Sequence, residues 1–279
     1  NLTTVDGPLF SGTITPAESM FFSTFSGTAI TEIPADLFAG IQGAPASSMF
    51  AQTFSNTAIT SIPADLFAGI QGAPAGGMFD ATFSVCDQLQ SIPADLFAGI
   101  QGAPAVSMFA STFYGTAITE IPADLFAGIQ GAPASYMFNS TFYNCSQLQS
   151  IPADLFAGIQ GAPAQSMFRS TFLNTAITEI PADLFAGIQG APASYMFNDT
   201  FRSCSQLQSI PENLFAGISG LAADGMFRST FYNCTSLTGP SARINGQYLY
   251  EIWPNVSNLQ TYRNATGLSD YDQIPSNWK

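Results

Sequence analysis

Six aspartates return at nearly constant spacing, Asp36, Asp65, Asp95, Asp124, Asp154 and Asp183, and Asn213 continues the series. Carboxylates stacked in a row could coordinate Ca²⁺, which takes several hard oxygen ligands at once. Calcium-binding repeats usually place further Asp, Asn and Gly in the same loop, whereas each Asp here stands between Ala and Leu. The row is better explained structurally, as a carboxylate in the first turn of a short helix meeting the positive end of its dipole. No metal and no cofactor is assigned. Four cysteines, Cys86, Cys145, Cys204 and Cys234, follow one another at steps of 59, 59 and 30 residues, which is no zinc-site spacing. Cys204 and Cys234 fall on adjacent coils, where a Cα separation of about 5 Å permits a disulfide. Cys86 and Cys145 lie two coils apart and read as small buried thiols, in a column that they share with Thr. Histidine is absent, which removes the commonest general base near neutral pH. The carboxylates repeat as equals and form no distinct acid and base pair, so the chain reads as a protein that is not an enzyme.

What must position these residues is a repeat. The block Ile-Pro-Ala-Asp-Leu-Phe-Ala-Gly-Ile-Gln-Gly-Ala-Pro-Ala begins at Ile33 and returns at Ile62, Ile92, Ile121, Ile151 and Ile180, with a decayed copy at Ile210; the steps alternate between 29 and 30 residues. Self-similarity at this period marks a solenoid, in which each coil stacks on the next to bury its apolar side. Within the coil that starts at Ile151, Pro152 ends a short strand and opens a short helix over 153–157. Gly158 and the run Gly161-Ala162-Pro163 break the chain. Met167, Phe168, Thr171 and Phe172 then recur at i, i+1, i+4 and i+5, the stripe of a second short helix.

Charge bounds the partners. The formal net charge is −13, all six cations lie between Arg169 and Lys279, and residues 1–168 hold no Lys or Arg. Such a surface repels phosphate backbones and anionic bilayers, so no nucleic acid is expected as a partner. No apolar run approaches about 18 residues, so no membrane insertion is expected either. The chain begins at Asn1, without Met; any secretory signal is expected to have been removed or left out.

Two coil types alternate. The shorter reads Phe172-x-x-Thr175-x-Ile177-x-x-Ile180, and the longer reads Phe83-x-x-Cys86-x-x-Leu89-x-x-Ile92. The longer form resembles the F-x-x-C-x-x-L-x-x-I motif of the BspA-like leucine-rich repeat surface proteins. Here Pro93 follows Ile92 at once, where that family has a second apolar strand residue first, and the helical return is longer. The resemblance implies a secreted or surface-attached solenoid used in adhesion or partner binding. The expected fold class is therefore α/β, a leucine-rich-repeat-like solenoid with short parallel strands and two short helices per turn. It spans 1–238, beginning mid-repeat, and a C-terminal cap that loses the period follows over 239–279.

Two surfaces could bind. The outward strand face carries Thr31, Glu32, Gln90, Thr119, Glu120, Gln149, Thr178 and Glu179 in columns, and a partner gripping it should itself be repetitive: a protein or polysaccharide surface, or copies of this chain. Tyr114, Tyr136, Tyr143 and Tyr195, flanking the second apolar stripe, form a candidate aromatic strip. The expected function is a non-catalytic extracellular or cell-surface protein presenting a repetitive surface for adhesion. The alternatives are a structural subunit that self-assembles head-to-tail into a filament or sheath, and a calcium-dependent glycan-binding module.

Burial within one coil falls short of the entropy of ordering it. A peptide spanning 150–179 alone is expected to give a coil-like far-ultraviolet circular dichroism spectrum; a folded, cooperatively melting peptide would contradict the stacking argument.

Overall fold

The computed structural model describes residues 2–7, 9–10, 12–256 and 259–279; Asn1, the start of the expected solenoid, lies outside them. The chain is a right-through stack of coils, and its backbone hydrogen bonds are divided in an unusual way. In the stretch from Ala164 to Asn174 every second N–H donates to a carbonyl of the following coil: Ser166 to Ser194 (3.0 Å), Phe168 to Met196 (3.0 Å), Ser170 to Asn198 (2.8 Å) and Phe172 to Thr200 (2.9 Å). The intervening N–H groups close four-residue turns within their own coil, Met167 to Ala164, Arg169 to Ser166 and Thr171 to Phe168. Every fourth residue then has positive φ, as at Ser166 (52°), Ser170 (55°) and Asn174 (56°).

This is a ribbon of linked turns, and it replaces the expected second helix. The first expected helix, over 153–157, is also absent: Leu155 N–H donates to Pro152 and Ala157 N–H to Asp154, again as linked turns. Among the described residues the only α-helix is α1, Leu249–Ile252, outside the repeats. The physical reason is one of supply. An α-helix spends its N–H groups internally, leaving none for the next coil, whereas the alternating ribbon keeps half of them for stacking. Ser, Thr and Asn, abundant in this stretch, are also weak helix formers that bond readily in turns.

The expected strand before each Pro is reduced to at most one backbone bond per coil, for example Thr119 N–H to Gln90 O at 3.3 Å and Gln208 N–H to Thr178 O at 3.0 Å. Proline has no N–H to carry a ladder further. Parallel pairing instead sits at the Ile-Gln-Gly step, where the glycines predict a break, in bridges such as Gly102 with Ile129 and Gly131 with Ile159. Gly131 works in both directions: its N–H donates to Gly158 and its carbonyl accepts from Gln160, both at 2.9 Å, with φ at 124°. That φ is a conformation few side chains tolerate.

The core is built from three columns of stacked phenylalanine. Phe138 lies on Phe168 at 5.8 Å between ring centroids, Phe142 on Phe172 at 5.7 Å and Phe126 on Phe156 at 6.4 Å. The first and third columns lock together through tilted contacts, such as Phe138 with Phe156 at 4.6 Å. Buried threonines tie the coils together from inside: Thr171 Oγ1 donates to Phe138 O (2.8 Å) and Thr200 Oγ1 to Phe168 O (2.9 Å), one coil back. Methionine also has a polar duty, since Met167 Sδ accepts the Ala164 N–H at 3.3 Å.

The stack does not stop where the sequence period fades. Thr261 Oγ1 donates to Phe227 O (2.9 Å), and Tyr262 stacks on Phe231 at 5.9 Å, so one further coil is built from residues of the cap. Among the described residues the cap also holds a hairpin, β1 (Arg243–Ile244) and β2 (Gln247–Tyr248), followed by α1 and a 3₁₀ turn, Tyr271–Gln273. Asn245 and Gly246 supply the two positive φ angles the hairpin needs. Buried Asp270 accepts bonds from Ser241 N–H (2.8 Å), Ser241 Oγ (2.6 Å) and Tyr250 (3.2 Å).

Close approach of neighbouring coils is greatest at the Gly of each Ala-Gly-Ile. A Cβ on Gly128 would collide with the carbonyl oxygen of Ile100, a backbone atom that cannot step aside. Gly128→Ala is therefore expected to destabilise the fold by about 1–3 kcal/mol, read as a lowered midpoint in urea, while Ala substitution at exposed Ala-flanked Asp124 leaves the midpoint nearly unchanged.

Candidate functional site

The repeat delivers its outward residues in register. Ile30 and Ile33 are buried and hold Thr31 and Glu32 facing solvent between them. The same alternation exposes Gln90, Thr119, Glu120, Gln149, Thr178 and Glu179. The backbone bonds Thr119 to Gln90, Gln149 to Thr119 (3.4 Å) and Thr178 to Gln149 (3.3 Å) place these residues on successive coils of one column. In the neighbouring column Glu120 and Glu179 are separated by Ser150, so like charges are not stacked.

The four tyrosines divide between two columns. Tyr114 and Tyr143 meet edge to face at 4.8 Å. Tyr136 and Tyr195 belong to a different column, where each bonds one coil ahead: Gln165 Nε2 donates to the Tyr136 hydroxyl (3.0 Å), and the Tyr195 hydroxyl donates to Asp224 (2.7 Å). The bond to Asp224 and the charge of that carboxylate push the Tyr195 phenol above its ordinary pKa. One continuous aromatic strip is therefore not formed.

The aspartates do not sit at helix ends, because those helices do not form. They line grooves between consecutive coils instead. Asp65 and Asp95, with Gln71 and Gln101, border one of about 630 Å³; Asp124 and Asp154, with Gln130 and Gln160, border another of about 600 Å³. Each Gln is braced by its own coil, as in Gln130 Nε2 to Ala127 O at 3.3 Å. Among the described residues no three of His, Cys, Asp and Glu converge to hold a metal ion.

All four cysteines are free, buried thiols, Cys204 and Cys234 included. Their task is to donate to the carbonyl of a phenylalanine one coil back: Cys145 Sγ to Phe113 O and Cys204 Sγ to Phe172 O, both at 3.1 Å. Thr116 and Thr175 stand beside them, 3.4 and 3.3 Å from those sulfurs. Burial pushes Cys145 and Cys204 up to about 11. A thiol so placed is neither ionised nor accessible as a nucleophile.

A cationic cleft, with no single repeat position to mark it in the sequence, lies near the far end of the stack. Arg169, Arg202 and Arg228 line a cavity of about 490 Å³ with Tyr195, Asp199 and Tyr232. Arg202 pairs with Asp199 at 3.2 Å and lies over the Tyr232 ring, 4.7 Å from its centroid; Arg263 approaches the same ring at 5.7 Å. These arginines are separated by one or two periods, plus or minus a few residues, which conceals their proximity until the columns are laid side by side.

No protein-family model and no curated protein matches the chain. Among solved structures it is similar to a leucine-rich repeat protein from Bacteroides ovatus, at 14% identity over 92% of this chain and 65% of that one, with a TM-score of 0.39. It is also similar to a leucine-rich cell surface protein from Faecalibacterium prausnitzii, at 16% identity over 90% of this chain and 74% of that one, with a TM-score of 0.34. The chain thus spans about two thirds of the length of the Bacteroides protein. Among the described residues no helix is long and apolar enough to cross a membrane.

The raised thiol pKa values give a pH signature with a definite sign. The neutral thiol is favoured in the folded state, so its contribution is complete below the ordinary thiol range of about 8.5 and is lost as pH rises toward about 11. Stability in urea is expected to fall across that window and to fall less in Cys145→Thr. Titration with a thiol reagent at pH 8 should find no reactive sulfhydryl in the native protein and all four after denaturation; two after denaturation would mean a disulfide.

Proposed function

We propose that this chain is a non-catalytic repeat protein, secreted or held at a cell surface, that presents its columns to a repetitive partner for adhesion. The partner is an extended polysaccharide or a protein surface with its own regular spacing. The observation that carries this reading is the register of the outward column, in which Gln90, Thr119, Gln149 and Thr178 succeed one another coil by coil through direct backbone bonds. Such a face repeats the same hydrogen-bonding groups at a spacing of about 5 Å. Each contact is weak, and binding strength comes from engaging many at once. The grooves bordered by paired Asp and Gln repeat at the same interval and offer a second periodic surface.

A panel of immobilised polysaccharides and fibrillar matrix proteins tests the reading. Retention is expected on at least one polymer, with short fragments of that polymer competing at least about tenfold less well by weight. Replacing Gln90, Thr119 and Gln149 together by Ala is expected to weaken retention by a similar factor without shifting the melting temperature. Retention that the triple variant leaves untouched, or none on any polymer, overturns the assignment to this face.

A further inference from the structure

We propose that the cavity between Arg169, Arg202, Arg228, Tyr195 and Tyr232 is a binding site for an acidic saccharide unit, one carrying a carboxylate or a sulfate ester. The site goes beyond the reading of the polar columns and does not depend on what those columns bind.

Charge is the first argument. The protein has a formal net charge of −13, yet three of its six cations border this one cavity, and a fourth, Arg263, reaches the Tyr232 ring beside it. Only Arg202 is neutralised there. Asn198 Nδ2 donates to Asp199 Oδ2 (2.8 Å) and to Arg228 O (3.0 Å), holding Asp199 so that its other oxygen meets Arg202. Among the described residues Arg169 and Arg228 form no ion pair. They occupy equivalent places two coils apart, with Asn198 on the coil between, so two exposed guanidinium groups flank the opening. Guanidinium forks bind carboxylate and sulfate oxygens in pairs, with charge-assisted hydrogen bonds.

The second argument is the wall. Tyr195 is held in place by its bond to Asp224, and its ring rests over Gly225, where any Cβ would strike it. Tyr232 is fixed by guanidinium groups on its face. Tyr195 thus offers an anchored phenol ring, partly apolar with a polar edge, which suits the C–H face of a sugar, while Tyr232, its ring covered by guanidinium groups, holds those cations at the wall. A volume of about 490 Å³ lies in the range of small-ligand sites. A nucleic-acid backbone, by contrast, needs an extended cationic track, and the residues before Arg169 hold no cation.

The test uses isothermal titration calorimetry on the whole chain with a galacturonate trisaccharide, its fully methyl-esterified form, a sulfated disaccharide and inorganic sulfate. Binding of at least one acidic saccharide is expected, at least about tenfold tighter than the methyl ester and tighter than sulfate alone. Comparing the two acidic probes separates a carboxylate from a sulfate ester as the group recognised. Arg169→Gln combined with Arg228→Gln alters exposed side chains only, and it is expected to lose about tenfold or more in affinity with an unchanged melting temperature. No binding of either acidic saccharide, equal binding of the methyl ester, or full affinity in the double variant overturns the proposal. So does self-association of the native chain that the double variant abolishes, because the patch would then meet the acidic surface of another copy.

Discussion

Every second peptide N–H in the Phe-rich stretch is reserved for the coil ahead. That division is what the rest of the molecule depends on, because it sets both the local conformation and the stacking. Closing turns with the remaining N–H groups obliges the chain to pass through the left-handed region every fourth residue, which costs free energy at each step for residues other than Gly and Asn. The cost is offset only when the forward bonds form, so a coil has little reason to hold this shape without its neighbour. Buried Thr and Cys complete the scheme by donating back to phenylalanine carbonyls whose own turn bonds are long, as at Phe138, where the Thr141 N–H lies at 3.3 Å and the Thr171 hydroxyl at 2.8 Å. These carbonyls are in the core, where an unmet acceptor is costly.

Side-chain choice follows from that constraint. A column must be filled once per coil by a residue that fits the same space, so Phe stacks on Phe and the Gly of Ala-Gly-Ile admits the carbonyl from the coil before it. Thr and Cys alternate at one position because both are small and both can donate to an oxygen. Outside, the constraint relaxes. The column that reads Tyr114, Tyr143, Leu173, Arg202 and Tyr232 changes chemistry along its length while its backbone stays the same. Function can thus be written on one face of the stack without disturbing the core.

Electrostatics divides the molecule along its length. Before Arg169 the exposed surface carries carboxylates with no balancing cation, and the repeated aspartates among them border grooves one coil apart. Near the far end, arginines gather around Tyr232 and leave a local cationic cleft in an acidic protein. The two regions would attract different chemistries, and each derives its geometry from the same stacked backbone.

The stacking and its register, the burial of Phe, Met and Ile, and the exposure of the Thr, Glu and Gln columns were legible in the amino-acid sequence, because periodicity alone dictates which residues share a column. The local conformation was not. Met167, Phe168, Thr171 and Phe172 repeat every fourth residue, and over so short a run a period of four cannot be told from the 3.6 of a helix. Only inter-coil hydrogen bonding decides between them, and its partners lie about thirty residues away. The further coil that contains Tyr262 was hidden because Tyr and Trp there replace Phe while filling the same space. Arg169, Arg202 and Arg228 likewise became one site only in three dimensions, since they occupy two columns four residues apart and no single period joins them.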